Sequence, residues 1–239
     1  MHILLINPNS TRSMTDQAHR SGLRAASPGT TISAINPTST PLSIEGFADE
    51  AMSVPAMLAE IRKGEVAGVN AYVIACFDDP GLDAAREVAT GPVIGICQAA
   101  VQVAMTIAKR FTIITTLPRS VPVIEDLVAG YGASHHCRRV RSINMPVLGL
   151  EEDPALAESL LLKEIALARQ EDRAEAIILG CAGMSELCDR LSRDSGLTVI
   201  DGVTAAVRIA EALVGAGYAT SKANGYAYPR EKIAVQKAG

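Results

Sequence analysis

The feature that most constrains the fold is an internal repeat. AYVIAC at residues 71–76 and AIILGC at residues 176–181 are short apolar runs closed by a cysteine, standing 105 residues apart. Two further pairs keep nearly that spacing. Pro8 and Ser10 are matched by Pro118 and Ser120 at 110, and Val93-Ile94-Gly95 is matched by Val199-Ile200-Asp201 at 106. Three matches in the same order argue for two copies of one unit. Apolar runs this short, bounded by polar and turn residues, read as buried strands of a parallel sheet. Open α/β sheets bind ligands at the carboxyl ends of their strands. A cysteine at that point in each copy therefore suggests one site with a thiol on either side.

The rest of the chain fits alternation of strand and helix. Strands are expected at 3–6, 30–35, 71–76, 93–96, 112–115, 140–144, 176–181 and 198–200. Helical spacing follows at 11–26, with Ser10 as its N-cap, and at 47–63, where Pro55 kinks or restarts the helix. Asp79-Pro80 reads as a cap and first-turn pair, and further helices are expected at 98–108, to 129, at 154–170, at 184–193 and to 214. The predicted fold is α/β, two pseudo-symmetric parallel-sheet halves with the active site in the cleft between them. The first half takes 1–98 plus about 206–239, and the second takes 99–205. The tail after Ala216 fits neither period; it is a packed extension, an oligomer contact or a partly disordered end, and a homo-oligomer is expected.

Composition narrows the function. With no Trp and three Phe among 239 residues, the core must come from Ala, Val, Ile and Leu. A net charge of −4 without a basic block speaks against nucleic acid or an anionic membrane as partner. There is no run long enough to span a bilayer and no signal-peptide pattern at the start. The five cysteines, at 76, 97, 137, 181 and 188, have no CxxC pairing. That pattern favours reduced thiols in a cytoplasmic protein over a disulfide framework or a metal site. His135 and His136 lie in a polar turn without ligand partners at useful spacing, and Cys97, Cys137 and Cys188 read as packing residues.

ILLINPNS at the start, VIACFDDPGLDAARE, TTLPRSVPVIEDLV, and ILGCAGM followed by VIDGVTAAV together resemble the hydantoin racemase branch of the aspartate/glutamate racemase superfamily. The resemblance runs from about residue 3 to residue 213. It implies a cofactor-free racemase with catalytic Cys76 and Cys181, acting on a small hydantoin-like ring such as a 5-substituted hydantoin or allantoin. Amino-acid racemases of that fold carry Asn-Thr after the first cysteine, where this chain has Phe77-Asp78, which counts against free glutamate or aspartate. Arylmalonate decarboxylases keep one of the two cysteines; this chain keeps both.

Two thiols suit racemisation, because one group must remove a proton from one face while another returns one to the other face. Helix starts after Asp79 and near Gly183 would favour the thiolates and offer N–H groups to a developing enolate. Around the thiols, Asn9 and Ser10 either bind substrate or cap the first helix. Thr115 and Thr116 occupy the equivalent strand end, Gly180 and Ala182 flank Cys181, Phe77 is placed to wall the pocket, and Ser43 sits in the loop after the second strand. Asp78 and Asp79 could tune Cys76, and capping alone would also explain Asp79. The other readings are a decarboxylase or cis–trans isomerase of the same superfamily, or a two-lobed small-ligand binding protein.

Overall fold

Why the two cysteine runs are strands is plain from their surroundings: every residue of Ala71–Ile74 and of Ala176–Leu179 is buried. Such runs, apolar on both faces, suit strands covered by helices on both sides. The computed structural model describes residues 1–230 and contains two four-stranded sheets, each wholly parallel. The first holds β1 (His2–Ile6), β2 (Thr31–Ile35), β3 (Ala71–Ile74) and β4 (Val93–Gly95) in the order β2-β1-β3-β4. Its helices are α1 (Arg12–Ala25), α2 (Phe47–Val66), α3 (Leu82–Val88) and α4 (Ile96–Ile107). The second holds β5 (Phe111–Thr115), β6 (Cys137–Ser142), β7 (Ala176–Leu179) and β8 (Thr198–Ile200) in the order β6-β5-β7-β8. Its helices are α5 (Val121–Gly130), α6 (Gly149–Glu152), α7 (Pro154–Leu167) and α8 (Cys188–Ser195), whereas α9 (Gly202–Gly215) crosses back to pack on β3 and β4 of the first sheet and against α1 and α4. The strand order is the same in both sheets, so the repeat in the sequence is a repeat of topology.

One apolar core joins the sheets. It runs from Ile3, Leu5 and Val73 through α4 and α9 to Ile113 and Ile178. The facing positions of α4 and α9 are largely alanine, including Ala99, Ala100, Ala104, Ala205, Ala206 and Ala210, all buried. Small side chains let the two helices approach closely. That close packing replaces the aromatic volume the composition lacks. Each fully buried Ile or Val adds roughly 1.5–3 kcal/mol relative to exposure, and Ile3, Leu5, Ile6, Ile74, Ile113 and Ile114 are all fully buried.

Several local expectations change. Helix α2 runs unbroken from Phe47 to Val66 with Pro55 inside it. The one hydrogen bond that Pro55 removes is outweighed by the burial of Met57 and Ile61 within the following two turns. Ser10 does not cap α1; Thr11 stands at that position without a side-chain cap bond, and Asn9 Oδ1 instead accepts from the Thr11 N–H at 2.9 Å. Asp79-Pro80 does not open the next helix either. Gly81, in the left-handed region at φ 62°, precedes α3. The stretch expected as a helix from residue 184 is a 3-10 turn, Ala182–Leu187, running into α8.

Through residue 230 the tail lies largely exposed on the first half and is tied to it by hydrogen bonds. The Thr220 N–H and hydroxyl donate to the carbonyls of Thr90 and Gly91, at 3.2 and 2.7 Å. Lys222 Nζ donates to the carbonyls of Arg86 and Glu87 at the end of α3. Residues 231–239 lie outside the described residues. Among the described residues no helix is long and apolar enough to cross a membrane.

Candidate active site

In each sheet the strand order reverses at one place, between β1 and β3 and between β5 and β7. Connections leave those neighbouring strands in opposite directions, so a crevice opens at their carboxyl ends. Asn7 and Asn9 follow β1, Ala75-Cys76-Phe77-Asp78 follow β3, Thr116 follows β5, and Gly180-Cys181-Ala182 follow β7. The two crevices meet in one cavity of about 390 Å³, mouth included, into which both Cys76 and Cys181 project. Cys76 and Cys181 are partly exposed as residues, and all five cysteines are free.

Eight of the ten residues singled out from the sequence line this cavity: Cys76, Cys181, Asn9, Phe77, Thr115, Thr116, Gly180 and Ala182. Ser10 and Ser43 do not. The Ser10 N–H and hydroxyl both donate to the carbonyl of Pro41, at 2.9 and 3.2 Å, tying down the loop after β2. Ser43 is half-buried in that loop, and its neighbour Ile44 reaches the cavity. The remaining lining comes from Met14, Ile44, Ala75, Asp78, Ser120 and Val147. Ser120 could have been found, since it is the repeat partner of Ser10. Ile44 and Val147 sit in irregular segments without a repeat partner, and only chain closure places them here.

The polar groups are prearranged. Asn9 is buried, and its Oδ1 accepts from Asn7 Nδ2 at 2.8 Å and from the Thr11 N–H. Among the described residues its amide nitrogen has only Met14 Sδ, at 3.7 Å, as acceptor. A thioether is a weak acceptor, so this N–H is available to a substrate carbonyl. The Thr115 hydroxyl donates to the Gly180 carbonyl at 3.1 Å. A Cβ on Gly180 would stand 3.0 Å from Thr115 Cβ, so the glycine permits the close approach of β7 to β5. Among the described residues, the hydroxyls of Thr116 and Ser120 make no hydrogen bond to protein.

The loop carrying Cys76 is held under backbone strain. Asp79 is buried and lies in the left-handed region at φ 44°, which favours glycine. Its carboxylate compensates by accepting from the N–H groups of Cys97 and Gln98 at 3.1 and 2.9 Å, and from the Tyr131 hydroxyl at 2.7 Å. Asp79 thus caps α4, far along the chain, rather than α3. The loop carrying Cys181 is differently held: Cys181 stands at the start of the 3-10 turn, and Gln17 Nε2 on α1 donates to the Gly183 carbonyl at 2.9 Å.

Electrostatics overturn the expectation that helix starts favour both thiolates. No helix opens beside Cys76, since α3 begins six residues later. Burial pushes the Cys76 thiol well up, and the charges of Asp78, Cys181 and Asp79 push it further, while the Asp78 N–H pulls it down. Burial pushes Cys181 up to about 12, with the Gly183 N–H opposing and Asp78 and Glu45 adding to the rise. Asp78 is pushed up to about 7 by burial and by Glu50 and Asp79. Burial alone makes the substrate-free pocket hostile to charge. The backbone N–H of the residue two positions on, Asp78 for Cys76 and Gly183 for Cys181, nevertheless acts in the opposite sense and favours each thiolate. The pocket lining contains no Lys or Arg, and among the described residues no group of three His, Cys, Asp or Glu side chains forms a metal-binding cluster.

A doubly repeated parallel α/β protein with a thiol at each of two facing switch points is the class that fold and cavity define. The family model for Asp/Glu/hydantoin racemase matches residues 3–210, and the chain belongs to that family. It is 74% identical over 235 residues to a hydantoin racemase of Rhizobium meliloti, covering 98% of each chain. It is 46% identical over 232 residues to a hydantoin racemase of Pseudomonas sp. strain NS671, covering 97% of this chain and 93% of the other. Among solved structures, the allantoin racemase of Klebsiella pneumoniae superposes with a TM-score of 0.96 at 43% identity, over 99% of this chain and 97% of that one. The chain is accordingly an isomerase, a racemase by class.

Proposed function

We propose that this racemase inverts the C5 centre of 5-substituted hydantoins, allantoin among them, using Cys76 and Cys181 as the two acid/base groups and no cofactor. The observation that carries the reading is the projection of both thiols into one cavity from equivalent strand ends. The names of the similar proteins, hydantoin racemase and allantoin racemase, support the substrate class. The lining supports it too. An α-carboxylate would meet no Lys or Arg and would face Asp78, and an unpaired charge in a dry pocket costs several kcal/mol. A neutral ring needs only hydrogen-bond partners, which Asn9 Nδ2 and the Thr116 and Ser120 hydroxyls supply.

The chemistry runs as one proton off and one proton on. One sulfur, as thiolate, removes the C5 proton. The electron pair moves into the adjacent ring carbonyl, whose oxygen takes up negative charge, and the opposite thiol then gives its proton to the other face of C5. This needs one thiolate and one thiol at a time. Each sulfur's charge opposes the other's, since the Cys181 charge raises Cys76, so double ionisation is disfavoured. The backbone N–H on each sulfur stabilises whichever thiolate forms.

Optically pure allantoin and 5-benzylhydantoin in D₂O, followed by polarimetry and proton NMR, test the proposal. Loss of rotation with deuterium entering C5 is expected for at least one of them, with no racemisation of free aspartate or glutamate. Faster racemisation of either amino acid than of any hydantoin would overturn the substrate assignment.

A further inference from the structure

Each thiol loop is tied to a helix of the opposite sheet. Tyr131 ends α5 in the second sheet, and its hydroxyl donates at 2.7 Å to Asp79, three residues past Cys76 in the first. Gln17 lies on α1 in the first sheet, and its Nε2 donates at 2.9 Å to the carbonyl of Gly183, two residues past Cys181 in the second. The helices correspond: α1 joins β1 to β2 as α5 joins β5 to β6. The ties are therefore reciprocal.

The atoms they hold are the ones that set the sulfurs. Asp79 fixes the strained end of the Cys76–Asp79 turn, whose Asp79 N–H closes on the Cys76 carbonyl at 3.1 Å. Without the Tyr131 hydroxyl, only the two α4 N–H groups would hold that carboxylate. Gly183 packs against the Cys181 sulfur, which lies 3.6 Å from where its Cβ would stand, its N–H favours the Cys181 thiolate, and its carbonyl is what Gln17 grips. Gln17 Oε1 is buried without a partner among the described residues.

We propose that Tyr131 and Gln17 are positioning residues, each bracing from the opposite sheet one of the two thiols, Tyr131 that of Cys76 and Gln17 that of Cys181. The proposal rests on the two-thiol reading above. A two-base racemase needs both sulfurs in line with C5 from opposite faces, and they are carried by different sheets. Bracing each loop to the other sheet keeps that alignment when the sheets shift against one another. Small misplacements of a reacting group are expensive in rate.

Because racemisation has an equilibrium constant of one, a lesion at either thiol lowers kcat/KM for both enantiomers alike. The discriminating quantity is the ratio of C5 hydrogen exchange to inversion for each enantiomer of 5-benzylhydantoin in D₂O. When the returning acid is misplaced, the carbanion is reprotonated from the face it lost, so exchange outruns inversion. Cys76→Ser and Cys181→Ser first establish which enantiomer each thiol deprotonates. Tyr131→Phe should then raise the ratio about tenfold only for the enantiomer that Cys181 deprotonates. Gln17→Leu should raise it only for the enantiomer that Cys76 deprotonates. Ser13→Ala breaks a different contact between the sheets' elements, the Ser13 hydroxyl on Glu151 at 2.7 Å, and should leave both ratios unchanged. If the cysteine variants show no enantiomer selectivity, the two-thiol reading fails. If they do, but Tyr131→Phe and Gln17→Leu alter both ratios equally or neither, the braces are structural only and the proposal is wrong.

Discussion

The two thiol loops occupy equivalent places in the repeat and are built in different ways. The Cys76 loop is strained at Asp79, flanked by two carboxylates, and held through a charged side chain. The Cys181 loop is a 3-10 turn with no carboxylate beside the cysteine, held through a backbone carbonyl. Topology was duplicated, and local chemistry was not. The lesson is that pseudo-symmetry places the two thiols, while the neighbours of each decide how readily it ionises. Both thiols are held up by burial and by the charge of Asp78, to which Asp79 adds at Cys76 and Glu45 at Cys181.

The sharpest way to break the comparison is to remove one member. Cys76→Ser and Cys181→Ser should each lower net inversion by at least about 10²–10⁴-fold, since a hydroxyl is a far weaker acid/base group. Polarimetry on both enantiomers checks this, and near-normal racemisation by either variant would remove that cysteine from the mechanism.

Next in size is a contrast between two glycines. A Cβ on Gly95 would fall 2.3 Å from Asp79 Cγ, in the middle of the carboxylate that caps α4. Gly95→Ala should therefore destabilise by about 1–3 kcal/mol and disturb the Cys76 loop. A Cβ on Gly183 would meet Leu150 at 3.3 Å and the Cys181 sulfur at 3.6 Å, contacts with little overlap. Gly183→Ala should cost less than about 1 kcal/mol. Denaturant unfolding of the two variants measures the difference, and equal losses would mean the two loops are held alike.

Asp78→Asn probes the electrostatic asymmetry. The Asp78 charge raises Cys76, so neutralising it lowers the Cys76 pKa, and its alkylation profile should move toward acid. The shift must be read above pH 7, where Asp78, itself pushed up to about 7, carries its charge in the parent protein. Below that value the variant and parent should converge. A shift toward alkali would reverse the assigned sign.

The smallest expected effect concerns the unmodified protein. Iodoacetamide at a fixed mildly alkaline pH should label Cys181 before Cys76, with 5-benzylhydantoin protecting both, as peptide mapping by mass spectrometry can follow. Preferential labelling of Cys76 would mean that the carboxylates beside it do not govern its reactivity.

Much of this molecule was legible before folding was considered. The repeat, the alternation of strand and helix, and the two cysteines at strand ends depend on patterns a few residues long, whose periods follow directly from strand and helix geometry. Asn9, Thr115, Thr116, Gly180 and Ala182 were legible for the same reason, because each adjoins a carboxyl end of one of the four central strands. What the chain order alone could not show is how distant segments meet. Asp79 looked like the cap of the helix that follows it, and it caps α4 because a left-handed turn aims its carboxylate across Gly95. Ile44 and Val147 became walls of the pocket only when the loops after β2 and β6 closed over it. The thiols were expected to ionise easily, and burial together with Asp78 set them the other way. Local pattern determined the elements and the positions of the two sulfurs. Dielectric environment, long-range capping and the ties from Tyr131 and Gln17 depend on contacts between residues dozens of positions apart, and tertiary structure alone decides those.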